Sequence, residues 1–104
     1  MIRPLLVAAL ASGAFLAAPA LAQVTDPNLG RNLAAACANC HGTNGVSQQG
    51  MPSLAGQQRA YLVQQMQDFK TGKRPATIMH QLAKGYSDEQ IEALAAYLSA
   101  QKAR

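Results

Sequence analysis

The chain has 104 residues, a formal charge of +4 and 49% hydrophobic residues, and it contains two cysteines and two histidines. This length allows one domain with a modest core, which usually needs a disulfide, a metal or another internal support. The nine basic residues are scattered rather than clustered, which argues against a nucleic-acid-binding surface.

The N-terminal segment has the pattern of a secretory signal peptide. Arg3 precedes an uncharged apolar run over 5–18, and the small-residue triplet Ala20-Leu21-Ala22 follows. This pattern predicts cleavage after Ala22, whereas a retained membrane helix would need about 20 apolar residues. We therefore expect a signal peptide at 1–22, a single domain at 23–104 without a membrane span, and a location in the bacterial periplasm.

The domain is predicted to be all-α, with three main helices and two long loops. Asp26-Pro27 is a typical helix start, Gly72 ends a stretch of apolar residues at helical spacing, and Ser87-x-x-Gln90 is a capping box. No segment alternates like a β-strand. We predict helices at about 28–40, at 58–71 and after Ser87, loops at 41–57 and 72–86, and one short helical turn at 79–84.

The stretch Cys37-Ala-Asn-Cys40-His41 fits four chemistries: a redox-active dithiol, a zinc half-site, a disulfide or covalent haem attachment. A thioredoxin-like dithiol expects a βαβ context, and zinc needs four ligands, for which only His80 remains. C-x-x-C-H is the haem attachment signature, because two thiols one helical turn apart can reach two vinyl groups on one porphyrin edge. We therefore predict one covalent haem c on Cys37 and Cys40, with His41 as an axial iron ligand.

The second axial ligand is predicted to be Met79. Met66 lies on the apolar stripe of the second helix, where methionine usually fills the core. Met51 follows His41 too closely to pass round the porphyrin to its other face. His80, next to Met79, is the rival ligand. A thioether favours Fe(II), so ligation by histidine and methionine raises the reduction potential relative to two histidines.

Further residues are predicted around the haem. The carbonyl of Pro52 is a candidate acceptor for the second ring N–H of His41, which would fix the tautomer. Candidates for the apolar walls of the pocket are Leu54, Tyr61, Leu62 and Ile78.

The motifs CANCHG and PSLAGQ, the loop at 72–86 that carries Met79 (the methionine loop) and a final helix with AAYLSAQ resemble a class I cytochrome c over the whole domain. The resemblance implies that the N-terminal and C-terminal helices cross. Gly30 would permit their close approach, and Tyr97 would pack over Gly30. Members often carry an aromatic residue on the first helix, where this chain has Leu33 and Ala34.

The segments T-I-M and A-K-G-Y-S are similar to the haem subunit of flavocytochrome c sulfide dehydrogenase. His80 stands where that family commonly has glycine, and one C-x-x-C-H implies a single-haem form. The resemblance implies an electron-transfer subunit that is not catalytic alone, an FAD-containing sulfide dehydrogenase subunit as partner, and a downstream electron acceptor. The alternatives are a free carrier that feeds a terminal oxidase or another acceptor, and an enzyme or gas sensor with an open iron position.

Charge and apolar residues near the methionine loop suggest how a partner would dock. Basic residues there are either a rim that steers an acidic partner or ordinary solubilising charge, and apolar residues between them are candidate anchors. The basic residues are Lys70, Lys73, Arg74 and Lys84, and the anchors are Ile78, Leu82 and Tyr86.

Overall fold

The computed structural model describes residues 13–17, 26–48 and 50–103. Within these ranges there is no β-strand, and the all-α fold is confirmed. The predicted signal peptide lies outside the described residues except for 13–17, which are exposed and irregular. None of the described helices has the length and apolar character needed to cross a membrane. The helices are α1 (Leu29–Ala34), α2 (Ala38–His41), α3 (Arg59–Thr71), α4 (Met79–Lys84) and α5 (Asp88–Ser99), with 3₁₀ turns at Ala35–Cys37 and Thr43–Gly45.

The first predicted helix is divided in the structure. A 3₁₀ turn at Ala35–Cys37 separates α1 from α2. The first cysteine of the C-x-x-C-H motif therefore lies in the 3₁₀ turn, and the rest of the motif lies in α2. Side chains three residues apart eclipse one another in a 3₁₀ turn. The run of small residues from Ala34 to Ala36 tolerates this crowding.

The other predicted helix boundaries agree with the structure. Gly72 ends α3 in the left-handed conformation with φ 79°, which glycine adopts without steric cost. The backbone N–H of Gln90 donates to Ser87 Oγ at 3.2 Å, and the Ser87 N–H donates to Gln90 Oε1 at 2.9 Å. This capping box fixes the start of α5.

The core is built around α5. Helix α1 crosses α5, and α3 packs against both α4 and α5. At the crossing, a Cβ added to Gly30 would meet the carbonyl oxygen of Ala93 and the Cβ of Tyr97, so the close approach implied by the cytochrome c resemblance is present. The buried apolar residues are Ala34, Ala55, Leu62, Ala83, Ile91, Leu94, Ala95 and Leu98.

Candidate haem site

His41 is the buried polar residue of the C-x-x-C-H motif. It ends α2 and is 7% exposed. Its ring Nδ1 lies 2.7 Å from the carbonyl oxygen of Pro52, which can only accept, so Nδ1–H is the donor. With the Nδ1–H bond in place, a neutral ring has its lone pair on Nε2, which is the form in which an imidazole binds a metal.

The loop that supplies the Pro52 carbonyl is fixed to the helical core. The carbonyl of Gly45 accepts from the backbone N–H groups of Leu54 at 2.8 Å and Ala55 at 3.1 Å. The N–H of Gly56 donates to the carbonyl of Leu98 in α5 at 3.0 Å. The orientation of the His41 ring therefore depends on a loop that is hydrogen-bonded to the last helix.

The two cysteines lie one turn apart beside His41. Neither forms a disulfide; Cys37 is partly buried and Cys40 is exposed. Before haem is attached, burial raises the pKa of the Cys37 thiol. Residues at positions i, i+3 and i+4 share one side of a helical segment, so the two cysteines lie on the same side as His41.

Tyr86 lies close to Cys37, although the two are distant in the sequence. Before haem is attached, the pKa of the Tyr86 phenol is raised, first by its own burial and second by the charge that Cys37 would carry as a thiolate. Tyr86 of the segment A-K-G-Y-S is therefore within electrostatic reach of the first cysteine of the motif. Nothing in the sequence pattern signalled this proximity.

Met79 and His80 begin α4 and project in different directions, because successive helix residues are about 100° apart. His80 lines a cleft between α4 and the end of α3. Its Nδ1 is buried and has no hydrogen-bond partner among the described residues. Met79 is partly buried, and its neighbours Ile78 and Leu82 are 53% and 46% exposed.

The predicted pocket walls fall into two groups. Leu62 is part of the helical core, and Leu54 packs against that core. Tyr61 and Ile78 are about half exposed. Large apolar side chains that remain exposed on a small domain are available to cover a bulky apolar group such as a porphyrin. Those on the body of the protein are Met51, Tyr61, Ile78 and Leu82.

A hydrogen bond connects the motif to α5, and sequence reasoning did not find it. Tyr97 Oη donates to the side-chain oxygen of Asn44 at 2.7 Å, across 53 residues of sequence. Asn44 has a φ of 52°, which asparagine tolerates better than most residues. It lies three residues after His41, so this bond attaches the end of the motif to the last helix.

Comparisons with known proteins agree with this arrangement. Residues 27–102 match the family model of cytochrome c. The cytochrome subunit of sulfide dehydrogenase from Chlorobaculum tepidum is 42% identical over 81 residues, which are 78% of this chain and 73% of that protein. Cytochrome c-554(548) from Halomonas halodenitrificans is 37% identical over 84 residues, which cover 74% of this chain and 98% of that protein.

The structural comparison gives the same family. Cytochrome c4 from Acidithiobacillus ferrooxidans superposes with a TM-score of 0.63 at 32% identity, over 75% of this chain and 52% of that one. This chain therefore spans about half the length of cytochrome c4. The resemblance to class I cytochromes c is confirmed. The chain belongs to the cytochrome c family, as an electron carrier whose haem c is held covalently by Cys37 and Cys40.

Proposed function

We propose that this cytochrome works in the bacterial periplasm as the electron-accepting haem subunit of a sulfide-oxidising flavoprotein. An FAD-containing subunit would oxidise sulfide and pass single electrons to this chain, which would deliver them to a downstream acceptor. The similarity to the sulfide dehydrogenase subunit of Chlorobaculum tepidum, which this chain covers over 73% of its length, supports this role.

The observation that carries the proposal is the 42% identity to the cytochrome subunit of sulfide dehydrogenase over 78% of this chain. The segment A-K-G-Y-S, on which the more specific resemblance depends, contains Tyr86, whose phenol is within reach of the charge of a Cys37 thiolate. A partner that contacts it would be held next to a haem attachment point. Electron transfer between two cofactors requires such proximity, so a stable interface at this segment suits a flavoprotein subunit.

We propose His41 and Met79 as the axial ligands of the haem iron. Bound haem supplies an iron that alternates between Fe(III) and Fe(II), and a thioether ligand favours Fe(II). The protein holds the His41 ring by its Nδ1–H bond to Pro52. The side chain of His80 contributes to a separate cleft, which supports Met79 as the second ligand.

Substitution of the two neighbours tests the ligand assignment. Met79→Ala should lower the reduction potential and abolish the weak charge-transfer absorption of methionine-ligated ferric haem. His80→Ala, the matched control, should leave both nearly unchanged. The opposite result would make His80 the ligand and refute the assignment.

The surface around α4 suits a partner that carries acidic groups. Ile78 and Leu82 are exposed apolar side chains, and Lys73 and Lys84 are exposed cations in the same region. An apolar centre with a charged rim is the usual anatomy of a protein interface. The apolar residues would supply binding energy, and the rim would steer the approach of the partner.

Co-purification and sulfide-dependent reduction test the partner. The tagged holoprotein, captured from periplasm, should bring down a chain that releases flavin on denaturation, and sulfide should then reduce the haem. Leu82→Glu should weaken the capture, whereas Lys102→Glu, an exposed change outside the methionine loop, should not. Capture of the cytochrome alone, with no reduction by sulfide after flavoprotein is added, would contradict the proposal.

A free, diffusing monohaem carrier is the second candidate. It is supported by the match over 98% of cytochrome c-554(548), a protein about as long as the predicted domain at 23–104. The same capture experiment separates the two roles. Ready binding of carbon monoxide to the ferrous protein would instead favour an enzyme or gas sensor with an open iron position.

A further inference from the structure

A second concave site lies between the C-terminal end of α3, the following loop and α4. It is a cleft of about 350 Å³. Lys70, Arg74 and Lys84 contribute positive charge to it, and Phe69 and His80 contribute aromatic rings. Among the described residues that line the cleft, none is acidic. The haem attachment motif contributes no residue to this lining.

Two of the three cations of the cleft, Arg74 and Lys70, are held in place by other groups of the protein. The Arg74 guanidinium lies 4.8 Å from the centre of the Phe69 ring and donates through Nη1 to Gln65 Oε1. Stacking of this kind fixes the plane of the guanidinium and leaves its other N–H groups available. Lys70 Nζ donates to the Tyr86 carbonyl at 2.6 Å. Little side-chain entropy is then lost at Arg74 and Lys70 when an anion binds.

His80 adds a ring N–H donor. Its Nδ1 is buried without a partner among the described residues. A proton there would bury an N–H group with no acceptor, so the neutral ring carries its proton on Nε2. His80 and Lys84 are four residues apart on α4 and therefore lie on the same side of that helix.

We propose that this cleft binds a small tetrahedral oxyanion, of which phosphate and sulfate are the simplest. Arginine matches the oxygen atoms of such an anion with two parallel N–H groups, and hydrogen bonds between charged partners are stronger than neutral ones. The Lys84 ammonium and the His80 N–H supply further donors from the other wall. Because Asp88 neutralises part of the charge of Lys70, at 3.6 Å, Arg74 and Lys84 carry most of the attraction.

Phosphate titration of the ¹⁵N-labelled, reduced holoprotein tests the site, with chloride used to keep the ionic strength constant. We expect saturable shifts confined to the amides around the cleft. Arg74→Gln and Lys84→Gln should each weaken the binding about tenfold, as expected when a hydrogen bond to a charged group is lost. Lys73→Gln removes the same charge from the same loop, but Lys73 does not line the cleft, so the affinity should change less than about twofold.

Two results would overturn the proposal. An equal loss of affinity in Lys73→Gln and Arg74→Gln would mean that phosphate responds to diffuse positive charge. Absence of saturable binding in the holoprotein would mean that the cleft does not accept a free oxyanion. A carboxylate of the protein's own haem that occupied the cleft would give this result. Normal haem absorption and helical content in each variant exclude misfolding as the cause.

Discussion

Replacement of Gly30 by alanine should weaken the crossing of α1 and α5. The new Cβ would lie closer to the carbonyl oxygen of Ala93 than the 3.0 Å below which real Cβ atoms are essentially never found, and 3.1 Å from the Cβ of Tyr97. The obstacle is helix backbone, which cannot rotate away as a side chain can. The two helices must therefore separate.

The expected loss follows from two opposing effects. Overpacking of a well-packed contact costs about 1–3 kcal/mol, and alanine regains up to about 1 kcal/mol of helix propensity over glycine. We expect a net loss of about 1–2 kcal/mol in the free energy of unfolding of the holoprotein. In a domain of this size that lowers Tm by roughly 5–15 °C.

Denaturant and thermal unfolding of the holoprotein, followed by circular dichroism, measure this loss. Gly85→Ala is the matched control. At Gly85 φ is −78°, and the new Cβ would meet nothing closer than the Leu82 carbonyl oxygen at 3.3 Å, so the change should stay within about 0.5 kcal/mol. If Gly30→Ala is as stable as the parent while Gly85→Ala is unchanged, the close approach of the helices is not a constraint.

Three further predictions concern the haem attachment, the last helix and the start of α5. The double change of Cys37 and Cys40 to serine should give a largely unfolded protein without haem, because the small core cannot offset the ordering entropy alone; a helical, cooperatively unfolding double mutant would contradict this. A double-mutant cycle of Tyr97→Phe and Asn44→Ala should give a coupling energy of about 0.5–1.5 kcal/mol in unfolding experiments, and a coupling near zero would mean that solvent replaces the bond at no cost. The pKa of Asp88 is lowered from its ordinary value of 3.8, first by the hydrogen bond from Gln67 and then by Lys70. The ionised Asp88 therefore stabilises the fold above pH 3.8, and this contribution is lost as the pH falls through the lowered pKa. Unfolding of Asp88→Asn as a function of pH should therefore show the largest deficit at neutral pH and a smaller one in acid, and a deficit independent of pH would refute this.

The helix boundaries were predictable because local rules determine them. Gly72 provides the left-handed residue that ends α3, and Ser87 and Gln90 satisfy the first N–H groups of α5 with their own side chains. Such signals act within a few residues and can be read from the sequence. The division of the first helix was missed, because the run from Ala34 to Ala36 contains no glycine, proline or capping residue to mark it.

The contacts of the site that join distant segments were not predictable in the same way. The proximity of Tyr86 to Cys37 depends on how α4 docks on α3. The bond from Tyr97 to Asn44 depends on the crossing of α1 and α5. No local rule relates residues so far apart in sequence, and only the packed structure brings them together. The acceptor of His41 was predictable only because the chemistry of a ligating histidine demands one.

The composition of the core explains why the haem site and the helix crossing depend on each other. In the described structure Ile91 and Leu98 are the largest fully buried side chains, and several other core positions are alanines, so packing among the helices is thin. Four large apolar side chains on the body remain 41–53% exposed, namely Met51, Tyr61, Ile78 and Leu82. Apolar burial contributes roughly 25 cal/mol per Å², so a porphyrin that covered these side chains would add stability that the polypeptide lacks. The loop that orients His41 is hydrogen-bonded to the carbonyl of Leu98, and the side chain of Leu98 is buried in the core. Loss of the haem should therefore loosen the helices, and loosening of the helices should release the histidine.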